Sequence, residues 1–167
     1  MKTVDLAKDI IFLCKKYGHH ESKTKIHKLI YLILGFALIN NIQPTEKVKD
    51  IDDEEIDSVI DELPKAWPYG PVFPKVDKNY NKIMSTDFNN YDLSVKNDPK
   101  LTKIVEETVR QWGKNTAGQL SDWSHEENSP WDVVVKQQGS GWNTPIPLPL
   151  VEEYFEKSVE NILGENE

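Results

Sequence analysis

Residues 66–74 read AWPYGPVFP, and how this stretch is read decides where the rest of the chain goes. Pro68, Pro71, Pro74 and Gly70 restrict the backbone at the place where Trp67, Tyr69, Val72 and Phe73 concentrate apolar area. A linker rich in Pro and Gly carries no such bulky side chains. The segment therefore reads as a rigid elbow that buries Trp67 and Phe73, with Gly70 and the prolines setting a turn. Pro71 is the expected first residue of a helix, where its missing N–H has no role. Helices are expected to pack on the elbow from both sides.

Those helices are written on either side of it. Before it, Val4, Leu6, Ala7, Ile10, Ile11, Leu13, Cys14 and Tyr17 recur at helical spacing behind Thr3, an N-cap type, and Gly18 ends the run. Ser22 or Thr24 caps a second helix whose apolar set, from Ile26 through Ala37, covers most of its circumference; such a helix belongs at the centre of a domain. It stops at Asn40-Asn41, ahead of Pro44. Residues 45–63 are acidic with thin apolar spacing, and a short helix over 53–61 is expected, its early carboxylates favoured by the helix dipole. After the elbow, a short helix over 72–84 and a polar loop over 85–98 lead to Pro99, which opens a strong helix through Trp112. Helical turns over 116–123, a turn over 137–143, an extended piece over 144–150 and a last amphipathic helix over 150–163 complete the chain. Strand signals are confined to short pieces near Ala66-Trp67 and residues 143–146. The expected fold is mainly α: one compact domain over residues 1–167, a bundle of about six helices with at most a small β-hairpin.

The chain has 167 residues, enough for one core. Its single cysteine, Cys14, sits in an apolar helical pattern, which excludes an internal disulfide and makes a reducing cytoplasm the default. The N-terminus carries no apolar run of signal-peptide type, and the longest apolar-rich run, 26–42, falls short of the ~20 residues that a membrane span requires. Formal charge is −8, and Arg110 is the only arginine. Arginine is the residue best suited to bidentate phosphate and guanine contacts, so sequence-specific nucleic-acid reading is not expected. Charge is uneven: residues 46–62 hold nine acidic and two basic side chains, net −7, and residues 1–30 hold seven lysines and three acidic side chains, net +4.

Candidate chemistry is sparse. His19, His20, His27 and His125 follow no zinc-binding spacing, and no metal or other cofactor is expected. Asp122, His125, Glu126 and Glu127 lie close in sequence among Ser121, Ser124 and Ser129, so His125 with Asp122 or Glu126 is a conceivable general base. No Gly-x-Ser-x-Gly elbow accompanies them, and Trp123 and Trp131 bracketing the segment read equally as a structural turn. The glycines of 137–143 (QQGSGWN) lack the Lys and helix that a phosphate loop needs.

Three blocks together carry a resemblance. They are Ser22, Lys23 and Lys25 leading into IHKLIY, the elbow with Trp67, Tyr69, Gly70, Pro71, Val72 and Pro74, and the SHEENSPW block with His125, Glu126, Pro130 and Trp131. In that order they resemble the Panacea, or SocA-like, domain, an antitoxin family of phages, prophages and bacterial toxin–antitoxin loci. The resemblance runs from Val4 to about Phe155, and departures from the family pattern fall at 127–129 and in the acidic stretch 46–62. It implies a non-enzymatic, cytoplasmic antitoxin that neutralises a cognate toxin by direct contact, the toxin being encoded by a neighbouring gene. A phage accessory protein that inhibits a host factor, or an adaptor for proteolysis, is the alternative, with a hydrolase using His125 below it. Asp52, Asp53, Glu54, Glu55 and Trp123 are the candidate partner-binding residues. The net −7 segment and the acidic end (Glu152, Glu153, Glu156, Glu160, Glu165, Glu167) suit a basic toxin. Trp112, Trp123 and Trp142 are anchor types for an interface, although most tryptophans belong to the core.

Overall fold

The computed structural model describes residues 1–164; Glu165 and Glu167 lie outside them. Helices α1 (Thr3–Tyr17) and α2 (Lys23–Ile39) form the frame. Thr3 is already helical and buried, Lys2 holds the N-cap position, and Gly18 ends α1 in the left-handed region at φ 71°. Ser22 caps α2, its side-chain oxygen accepting the Lys25 N–H at 3.2 Å. Every residue over 25–37 is buried. The all-round apolar surface of α2 is thus enclosed by α1, by α5 (Pro99–Trp112), by α6 (Ala117–Ser124) and by α8 (Leu148–Ser158). Gly35 permits the last of these contacts, because a β-carbon there would run into the Phe155 ring.

The six-helix bundle is not what forms. Among the described residues there are eight α-helices and five strands in two small sheets. The stretch expected to be an acidic helix is a β-hairpin, β1 (Glu46–Lys49) with β2 (Glu55–Ser58), in antiparallel register Val48↔Ile56. Its turn explains the outcome: the Asp50 carboxylate accepts the N–H groups of Asp52 and Glu54 at 2.9 Å, and Asp53 takes φ 62°. An Asx turn of this kind competes directly with the first turn of a helix.

The second sheet is built on the elbow. β3 (Lys65–Trp67) pairs antiparallel with β4 (Gly70–Val72) on one side and with β5 (Thr144–Pro145) on the other. Pro71 therefore lies in a strand, and it is Pro74 that opens the next helix, α3 (Pro74–Lys78). Asn79 separates α3 from α4 (Tyr80–Met84), so the helix expected over 72–84 is two short ones. The last helix starts at Leu148 and ends at Ser158, shorter at its C-terminal end than the 150–163 pattern suggests. Between α6 and α8, α7 (Pro130–Asp132) runs into a π-helical turn, Val133–Gln137. The loop over 85–98 is pinned to α1: Asp9, fully buried, accepts from Tyr91 Oη at 2.5 Å, Ser94 N at 2.8 Å and Ser94 Oγ at 2.7 Å.

Candidate functional site

Two of the three sequence blocks that carry the resemblance, the elbow and the segment around Trp131, meet in one joint. The indole Nε1–H of Trp131 donates to the Trp67 carbonyl at 2.7 Å, and the Ser121 hydroxyl donates to the Tyr69 carbonyl at 2.6 Å. Gly70, at φ 111°, passes so close to α6 that a β-carbon would meet Ser124 Oγ. Glycine is required there on both counts, conformation and space. Val72 and Pro71 are buried, Phe73 is fully buried and Trp67 is half-buried. Ser129 caps α7, its side chain accepting the Asp132 N–H at 3.2 Å, which sets Pro130 as the first helical residue and turns Trp131 inward.

Two side chains of α2, His27 and Lys28, fasten the joint to the centre of the domain, and both are polar residues within its buried stretch. Lys28, 1% exposed, donates from Nζ to the Pro71 carbonyl at 2.8 Å. Burial alone pulls its ammonium down to about 7, since no neighbouring charge offsets the lost hydration. His27 accepts the Phe73 N–H through Nδ1 at 3.1 Å, so Nε2 carries the hydrogen and finds no partner. Burial, with Lys28 alongside, pushes His27 down to about 3, and the ring is neutral. Both stand in the IHKLIY block, and the sequence signal for their role is a charge and an imidazole inside a helix apolar on all sides.

His125 does not sit in a catalytic constellation. Its Nδ1 is buried without a hydrogen-bond partner, and its ring lies 5.1 Å from that of Trp131. Asp122 is exposed, and Glu126 accepts instead from Tyr154 Oη at 2.9 Å. Ser124 Oγ is buried and donates to the Ser121 carbonyl at 2.8 Å. No hydroxyl–imidazole–carboxylate chain links these groups. Among the described residues no three His, Cys, Asp or Glu side chains gather in a way that holds a metal ion.

The candidate partner-binding residues separate into two kinds. Asp52, Asp53, Glu54 and Glu55 are exposed on the hairpin turn around Ile51, which is 56% exposed. Trp123 is half-buried instead, its ring 5.3 Å from Trp112, 5.9 Å from Tyr31 and 6.2 Å from Phe155, inside an aromatic cluster at the α2–α8 contact. The exposed aromatics are Tyr69 and Trp142, 74% and 58% exposed. Cys14 is buried, and burial raises its thiol to about 11, far from a reactive thiolate.

No helix among the described residues is long and apolar enough to cross a membrane. Comparison with family models, with curated proteins and with solved structures returns no match.

Proposed function

We propose that this protein is a cytoplasmic antitoxin of Panacea type, which neutralises a cognate toxin by direct protein–protein contact and carries out no catalysis of its own. The observation that supports this reading most is the joint itself. The elbow is joined to the SHEENSPW block through Trp131–Trp67, to α6 just before that block through Ser121–Tyr69, and to the IHKLIY block of α2 through Lys28 and His27, so the three blocks that carry the resemblance share one joint. These residues make a scaffold. Their hydrogen bonds go to backbone carbonyls and N–H groups inside the fold, as a frame that presents surfaces requires and as a substrate site does not. Surface remains for a partner in the acidic hairpin turn, whose carboxylates are exposed. A hydrolase reading has less support, because His125 lacks an orienting carboxylate and Ser124 is spent on a backbone carbonyl.

The test is co-expression of the chain with the product of the neighbouring reading frame, scoring growth and then co-purification. Growth restored together with a stable stoichiometric complex is the expected result. A toxic neighbour that the chain neither binds nor relieves would overturn the proposal. A His125→Ala variant that still restores growth separates this reading from the enzymatic one.

A further inference from the structure

Tyr69 and Trp142 are far apart in sequence and stand at the same end of the small β4-β3-β5 sheet. Tyr69 is in the turn that leaves β3 after Trp67, and Trp142 precedes β5, which runs back along β3 with Thr144 opposite Ala66. Two hydrogen bonds fix the approach: Asn143 N–H to the Ala66 carbonyl at 2.7 Å, and Trp67 Nε1–H to Asn143 Oδ1 at 3.0 Å. Asn143 takes φ 67° to make both, so the Trp142 segment is held in place by a conformation that costs energy unless something fixes it. Behind it, Trp142 leans on buried Trp131 at 6.0 Å. Single exposed aromatics are ordinary; two large exposed rings at one end of one small sheet, the second backed by a buried indole, are an interface feature.

Charge says what fits. The segments that build this end, 66–74, 115–137 and 138–147, contain Asp122, Glu126, Glu127 and Asp132 against one basic residue, Lys136. Asp122, Glu126 and Glu127 are exposed. Lys136 is already placed over the indole behind Trp142, with Nζ 6.0 Å from the Trp131 ring centre. We infer that Tyr69 and Trp142 form a docking surface for a cationic segment of a partner protein, with arginine or lysine side chains placed over the two rings and paired with the carboxylates of the α6–α7 connection. The inference adds a second contact surface to the acidic hairpin turn for the antitoxin reading, and it rests on that reading for the partner's identity.

The experiment follows the indole and phenol ring signals of the full, isotope-labelled chain during titration with a short peptide alternating arginine and serine. A peptide alternating glutamate and serine is the control. Expected are saturable shifts at Trp142 and Tyr69 with the arginine peptide only, no shift at Trp112, and affinity about tenfold weaker in Tyr69→Ala and in Trp142→Ala. Asp122→Lys combined with Glu127→Lys is expected to weaken it as well, and circular dichroism checks that each variant is folded. Equal shifts with both peptides, shifts scattered over the surface, no saturable shift, or undiminished binding in the variants would each overturn the inference. Co-expression then separates the two claims. If the native chain restores growth and the Tyr69→Ala/Trp142→Ala chain does so equally well, the surface assignment fails and the antitoxin reading stands. If the native chain restores nothing while the arginine peptide still localises to Trp142, the antitoxin reading fails and the surface stands.

Discussion

The elbow joint and the acidic hairpin are built on opposite principles. In the joint, a few buried side chains each make one hydrogen bond to the main chain: Lys28 to Pro71, His27 to Phe73, Trp131 to Trp67, Ser121 to Tyr69. In the hairpin, charge is abundant and exposed. Lys47 pairs with Asp57 and Lys49 with Asp53 at 3.4 Å, all four side chains more than half exposed. Pairs of this kind contribute little, typically ~0–1 kcal/mol, because water screens them. A buried hydrogen bond contributes little more when made, but leaving its partner unsatisfied costs about 1–3 kcal/mol. Losing a partner in the joint is therefore costly, whereas the hairpin is free to carry whatever charge a partner demands.

Substitutions should divide along that line. Trp131→Ala removes a nearly fully buried ring and strands the Trp67 carbonyl; a loss of about 3–5 kcal/mol in urea unfolding is expected. Gly70→Ala adds left-handed strain to the clash with Ser124 and should cost about 3 kcal/mol. A cost below about 1 kcal/mol in either variant would show that the joint is softer than its geometry.

Lys28 gives the comparison a pH signature. Its folded-state value of about 7 lies below its ordinary 10.5, so between those values the unfolded chain holds a proton that the folded chain has released. Stability gained from this group therefore rises as pH climbs from 7 toward 10.5, by at most about 1.4 kcal/mol per pH unit, and is lowest below 7. His27 acts in the same sense lower down, between about 3 and 6.5. Lys28→Met should flatten the upper part of the unfolding-versus-pH profile and leave the lower part. An unchanged slope above pH 7 would remove Lys28 as its source.

Smaller effects complete the series. The Tyr31 hydroxyl is fully buried without a partner, so Tyr31→Phe should be neutral or stabilising by up to ~1 kcal/mol. Asp57→Ala in the hairpin should shift stability by less than about 0.5 kcal/mol in thermal unfolding. A hairpin effect as large as that of Gly70→Ala would dissolve the distinction between the two regions.

What was legible in the sequence follows the same physics. α1, α2 and α5 show themselves because long apolar periods with Ser22, Pro99 and Gly18 at their ends leave one consistent solution. The elbow was readable as a packed turn, but not as a sheet, because β3 acquires its second neighbour only when β5 returns from residue 144. The hairpin was hidden for a different reason. Its period-two signal consists of Val48 against Ile56, two side chains among nine carboxylates, and the decisive contact is made by Asp50 to its own backbone. In the site, Trp67 and Gly70 of the elbow meet Trp131 and Ser124 of the second block, whereas Glu126 turns to Tyr154 on α8; the fastenings themselves are not readable from the sequence. Lys28, Ser121 and Trp131 bond to main-chain carbonyls, whose positions exist only once the chain has folded.

Asp9 supplies the polar pin of the loop over 85–98, beside the buried Val95 and the Phe12–Tyr91 ring contact at 5.4 Å. Tyr91 and Ser94, near its middle, are tied to a single buried carboxylate on α1, and the loop has no helix or strand of its own. Protection of the Ser94 amide against hydrogen exchange thus reports on one side chain, and a protease given access to this protein would find its first cut wherever that pin fails to hold.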